Sequence, residues 1–101
     1  MPAYCLFQNI RITNQEKMME YAEKVRPITE SFGGKYVVRG GKVDVMEGQW
    51  SPAWPVVIVF PSLQRAHEWY GSQEYAPLKA LRESAGEFSA VFIEGVEEPG
   101  A

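Results

Sequence analysis

Between Pro55 and Pro61 the chain reads Val56-Val57-Ile58-Val59-Phe60, an unbroken apolar run rich in β-branched residues. Such side chains are stiff at χ1 and favour an extended backbone. Proline, with no N–H to give a ladder, marks where pairing stops. A strand with one wet face alternates apolar and polar residues; this run does not, so both of its faces are expected to be dry. A sheet built around it needs cover on two sides, and that requirement limits what the remaining residues can form.

The rest of the chain supplies cover for one side. Tyr4 to Ile12 reads as a first strand, with Tyr4, Leu6, Gln8, Ile10 and Ile12 on one face and Cys5, Phe7, Asn9 and Arg11 on the other. Thr13 with Glu16 fits a capping box, opening a helix that runs to about Phe32. Met18, Tyr21, Ala22, Val25, Ile28, Thr29 and Phe32 form its apolar stripe. Pro27 predicts a kink or a break, and Gly33-Gly34 a left-handed stop. Lys35–Arg39 and Lys42–Met46 read as two strands joined by Gly40-Gly41, a hairpin signal that would set Val38 against Val43 and Tyr36 against Val45. Glu47 to Trp54 is irregular. Beyond the apolar run, Ser62 caps a helix with Leu63, Ala66, Trp69 and Tyr70 on one face. Gly71-Ser72 interrupts it, and Tyr75, Leu78, Leu81 and Ala85 resume a helical face with Pro77 tolerated in the first turn. Phe88 to Ile93 is the last strand, and the acidic tail at 96–101 is expected to fray.

This order makes two strand–helix–strand crossovers, which lay the helices on one face of a single α+β sheet. The other face keeps residues of the 56–60 run, residues of the last strand and the Cys5/Phe7 side of the first. Each large apolar side chain left in water forgoes roughly 1.5–3 kcal/mol, against a total stability of about 5–15 kcal/mol. A second copy laid sheet to sheet is the expected cover, so the chain should be a homodimer. The Trp50–Trp54 segment is too short to cover that face alone. Trp50 and Trp54 suit a lid or an arm reaching the partner.

With 101 residues, one domain is expected, over 1–95. The formal net charge of −3 and the lack of a basic stripe argue against nucleic acid as a partner. No apolar segment approaches the ~20 residues of a membrane span, and the N-terminus carries no signal-peptide pattern. A single cysteine, Cys5, excludes an internal disulfide and fits a cytoplasmic location. No ligand spacing suggests a metal, and no cofactor is expected.

Arg39-Gly40-Gly41, Glu47-Gly48-Gln49-Trp50, Val57-Ile58-Val59-Phe60-Pro61-Ser62, Trp69-Tyr70 with Ser72-Gln73-Glu74-Tyr75, and Leu81-Arg82 together resemble the bacterial family known as domain of unknown function 1330. The resemblance spans Tyr4 to Gly95. It implies a ferredoxin-like βαββαβ unit with an antiparallel sheet, paired through its sheet into a dimeric α+β barrel. The wider group includes cofactor-free oxygenases, lactone isomerases and haem enzymes, so the resemblance implies a fold and an assembly without a reaction. Gln73 stands where such proteins often carry Pro, which should alter only the local turn.

Candidate chemistry is sparse. His67, the only histidine, sits at the edge of a helix face and is either a general base lining a pocket or a half-exposed boundary residue. Arg39 and Glu47 could orient a carboxylate or carbonyl ligand, or form a cross-strand or intersubunit ion pair worth little at the surface. Tyr21, Tyr36, Trp69, Tyr70 and Tyr75 could line a pocket for a flat organic molecule, or fill the core. Pro2, if Met1 is removed, is a secondary amine of the kind tautomerases use as a base, or simply a common start. The expected activity is therefore the binding of a small organic molecule between sheet and helices. A cofactor-free isomerase or monooxygenase and a purely structural dimer stand as alternatives.

Overall fold

The structure is a computed structural model describing residues 1–51 and 53–97. Strand β1 (Ala3–Ile12) lies at its centre. It runs antiparallel to β3 (Trp54–Phe60), with Cys5 opposite Ile58, and to β4 (Gly86–Glu94), with Cys5 opposite Phe92. Strand β2 (Lys35–Arg39) closes the far edge by pairing with β3, giving the order β2-β3-β1-β4. Helix α1 (Gln15–Ser31) links β1 to β2, while α2 (Leu63–Tyr70) and α3 (Ala76–Glu83) link β3 to β4. This is the expected ferredoxin-like βαββαβ arrangement in a four-stranded antiparallel sheet.

The core lies between the sheet and the helices. Cys5, Phe7, Ile58 and Phe60 point into it from the strands, and Val25, Ala66, Trp69, Tyr75 and Leu78 close it from the helical side. The expectation that the Cys5/Phe7 side of β1 would be left bare is thus reversed. The bare side carries Leu6, Ile10, Val37, Val91 and Ile93, each between 36 and 53% exposed. The register explains this: Leu6 lies beside Val57 and Val91, and Tyr4 beside Val59 and Ile93, on the opposite face from Cys5. The organising strand is accordingly buried on one face at Ile58 and Phe60, and half-buried on the other at Val57 and Val59.

Four local expectations need correction. The cap of α1 is Asn14, whose side chain accepts from the Lys17 N–H at 3.0 Å; the Thr13–Glu16 box does not form. Thr13 and Asn14 instead give their backbone N–H groups to the Ala85 carbonyl. Of the kink or break expected at Pro27, the break does not occur, since α1 continues through Ser31. The proposed strand over 42–46 is absent: after Gly40, at φ +70°, the chain leaves the sheet and returns only at Trp54. Val38 therefore meets Val57 rather than Val43, and the Gly40 N–H reaches the Pro55 carbonyl at 2.7 Å. Gly40-Gly41 marks the end of β2, but the hairpin it signalled does not form: the long-range partner β3 outcompetes the local segment, which offers Val43, Val45 and Met46 beside Lys42 and Asp44. The two later helices are separate, with Pro77 in the first turn of α3 as expected. Of the tail, residues 98–101 lie outside the described residues.

Candidate functional site

A cavity of about 390 Å³ opens between α1 and the inner face of the β2–β3–β1 edge. Its apolar wall comes from Phe7, Val56 and Ile58 on the sheet and from Met18, Ala22 and Val25 on α1. Trp54, the first residue of β3, contributes an indole. The polar groups are Asn9, Tyr21, Tyr36, Arg26, Arg39 and Arg82.

Each tyrosine of the wall is tied to a neighbour. The Tyr36 hydroxyl lies 3.0 Å from Oγ1 of buried Thr29, whose own proton goes to the Val25 carbonyl at 3.0 Å. Tyr36 is therefore the donor of the pair. The Tyr21 hydroxyl meets that of fully buried Tyr75 at 2.9 Å. Burial raises all three phenols above their usual 10.0, Tyr21 the most clearly. The Arg82 guanidinium beside Tyr75 opposes the rise there without cancelling it. These phenols are hydrogen-bonding handles held in their neutral form.

Sheet irregularity brings in the cations. The β2–β3 register shifts between Tyr36 and Val38, so that Tyr36 faces Ile58 and Arg39 faces Val56, both on the cavity side. A regular strand would have sent Arg39 to the opposite face. Arg82, on the last turn of α3, is only 5% exposed, with the rings of Phe7 and Phe88 at 5.4 and 5.2 Å from its guanidinium carbon. Its buried Nε has no hydrogen-bond partner. Arg82 is a wall residue that sequence reasoning passed over, because a buried arginine is legible only from the packing around it. Asn9, 3% exposed, was missed likewise.

The remaining candidates sit elsewhere. Trp69 is fully buried, its ring 4.5 Å from Tyr75 and 6.0 Å from Phe7, and it fills the space beneath α2. Tyr70 lies under the Lys79 ammonium and borders a second hollow of about 340 Å³ with Arg82, Glu83 and Phe88. His67 is exposed and packs against the ring of Phe92 at 5.3 Å, outside both hollows. Glu47 and Trp50 are exposed in the loop before β3; Glu47 forms no ion pair with Arg39 among the described residues. Pro2 is half-buried and does not line the cavity, and its carbonyl accepts the Gly95 N–H. Among the described residues no group of His, Cys, Asp and Glu could hold a metal ion, and no helix is long and apolar enough to cross a membrane.

The model of the domain of unknown function 1330 family (DUF1330) matches residues 2–96. The chain belongs to this family. Among curated proteins no sequence matches it. Among solved structures, this DUF1330 chain is similar to a protein of unknown function from Rhodopseudomonas palustris, at TM-score 0.77 and 17% identity over 96% of this chain and 84% of that one. It is also similar to a dimeric ferredoxin-like protein of unknown function from Jannaschia sp. CCS1, at TM-score 0.72 and 9% identity over 94% of this chain and 100% of the other. A structure described as an antibiotic biosynthesis monooxygenase follows at TM-score 0.51 and 14% identity, over 95% of this chain and 99% of that one. At these identities the likeness shows the fold.

Proposed function

We propose that this DUF1330 chain works as a homodimer, each subunit binding a small organic molecule in the cavity beneath α1. The observation that carries the reading is the cavity itself: about 390 Å³, walled by apolar side chains, with phenols and guanidiniums converging on it. That size falls within the range of ligand pockets, and the mixture of oily wall and few polar groups is their usual make-up. Pairing is supported by the bare apolar sheet face and by the description of the Jannaschia protein as dimeric. A single buried thiol fits the cytoplasm as the place of work.

Binding is preferred to cofactor-free isomerisation or oxygenation because the wall carries no proton acceptor suited to neutral pH. Among the described residues that line it there is no histidine, aspartate, glutamate or cysteine, and the raised phenols stay protonated at pH 7 and so cannot take up a proton there. The tautomerase reading asks Pro2 to serve a cavity it does not border. A purely structural dimer leaves the hollow and its cations without a role.

The test is native mass spectrometry of the purified protein, joined to titration of a metabolite panel followed by NMR. The expected result is a dimer carrying a releasable small mass, or ligands that shift Tyr36, Val25 and Trp54 together. Ala22→Trp, which fills the cavity from the exposed side of α1, should abolish those shifts. A panel that leaves every wall residue unmoved would sink the proposal.

A further inference from the structure

We propose that the ligand of this cavity is an organic anion, an aromatic or otherwise flat carboxylate whose charged end is received by Arg82; the inference rests on the reading that the cavity binds a small molecule. The charge distribution carries it. The chain is acidic overall, with 13 Asp and Glu against 10 Lys and Arg. Yet three of its five arginines, Arg26, Arg39 and Arg82, line this one cavity, and among the described residues no carboxylate does. Arg26 is answered by Glu30 on the helix surface at 3.4 Å. Arg39 and Arg82 enter no ion pair among the described residues.

Arg82 is the decisive group. A guanidinium taken out of water is costly unless an anion or a set of acceptors meets it. The rings of Phe7 and Phe88 lie 5.4 and 5.2 Å from its guanidinium carbon, but neither supplies an acceptor for its N–H groups, and its buried Nε has no hydrogen-bond partner. The neutral Tyr75 phenol is a weak answer to a full charge. Glu83 shares the second hollow with Arg82 but does not pair with it. A planar carboxylate supplies the missing counter-charge, since its two oxygens match the two parallel N–H groups at the Nη end of the fork. The body of the ligand then lies along Phe7, Val25, Val56 and Ile58, with the Tyr36 and Asn9 side chains as neutral handles. Arg39, exposed on the edge strand, gives the entrance a positive sign and favours entry of anions.

The experiment uses matched probes, benzoate with benzamide and 2-naphthoate with 2-naphthamide. It is read by titration calorimetry and by the Arg82 Nε–Hε resonance of the intact protein. Each carboxylate should bind about tenfold or more tightly than its amide, and should shift that resonance. Arg39→Ala should lower the preference several-fold, and Arg82→Met should bring the two members of each pair level. Equal binding of acid and amide by the wild type would overturn the anion assignment and leave the cavity reading standing. No binding of either series would overturn both. If Arg82→Met does not fold, the wild-type comparison and Arg39→Ala decide: an unmoved Nε–Hε signal with an unaltered preference refutes the assignment.

Discussion

Tyr36 and Arg39 lie three residues apart on an edge strand and face the same cavity. Alternation would set them on opposite sides of the sheet. The bulge at Val37 places Val37 and Val38 together against Val57, and the next residue, Arg39, turns inward beside Tyr36. Deleting Val37 restores a regular ladder in which both remain inward, so this variant should fold and keep its cavity. Deleting Val57 from the central part of β3 turns one flank of that strand inside out and should prevent folding. Urea denaturation of the two deletions tests the contrast; equal damage would show that the bulge does not set the register.

The Tyr36 hydroxyl is held by Thr29, a buried residue whose proton is already committed to the Val25 carbonyl. Tyr36→Phe removes one neutral hydrogen bond and leaves no charged group exposed, so its cost should be about 1 kcal/mol. Thr29→Val should cost at least as much, because it also strands the Tyr36 hydroxyl facing an apolar methyl. Urea midpoints with unchanged slopes check both values.

The parts of this fold legible beforehand are those fixed by local chemistry. The β-branched run 56–60, the left-handed Gly33, the serine cap at Ser62 and Pro77 in the first turn of α3 each follow from a residue's own preferences. What was not legible depends on partners far along the chain. Residues 42–46 form no strand because β2 finds β3 instead, and Cys5 and Phe7 turn inward because α2 and α3 pack over them. The site divides in the same way. Tyr21, Tyr36 and Arg39 were marked by residue type, and the structure gathers them. Arg82 and Asn9 acquire meaning only from burial, and His67, singled out by its titration range, stands outside the cavity.

Alkaline pH should destabilise the protein in a defined window. Burial pushes the Cys5 thiol from 9.0 up to about 12, and raises the phenols of Tyr21, Tyr36 and Tyr75 above 10.0. The unfolded chain loses these protons first, so between about 9 and 12 the folded state holds more of them and stability falls as pH rises. Below pH 9 these groups add no slope. Cys5→Ala should remove the part of the decline that begins near pH 9, while the part above 10 persists. The same burial predicts that a thiol reagent at pH 8 modifies Cys5 only at the rate of unfolding. Rapid labelling of the native protein would contradict it.

Gly40 holds a positive φ of 70° with the Trp54 ring packed over its Cα. An added methyl would strain the backbone and strike that ring. Gly40→Ala should cost about 1–2 kcal/mol for the left-handed conformation, and more where the indole cannot move aside. Because Trp54 lines the cavity, the variant should also change its fluorescence and weaken ligand binding. Gly48, at φ 73° with open space around it, supplies the control: Gly48→Ala pays only the backbone term. Equal losses at the two sites would mean that the Trp54 contact is immaterial.

The outer face of the sheet makes the remaining prediction. Leu6 and Val91 are paired across β1 and β4, 36 and 53% exposed, with Ile93 and Ile10 on the same side. Burying such side chains against a partner contributes roughly 1.5–3 kcal/mol for each one fully covered, and a symmetric interface counts every residue twice. A charge placed at this centre must be dehydrated against its own copy. Leu6→Glu should therefore convert the proposed dimer to monomer at micromolar concentration in sedimentation velocity, with helix content retained, since the core face holding Cys5 and Phe7 is untouched. Glu16→Lys, on the exposed first turn of α1, reverses a charge away from that face and should leave the mass unchanged. If wild type and Leu6→Glu both sediment as single subunits, the apolar face is open to solvent in the native protein and sheet-to-sheet pairing is refuted.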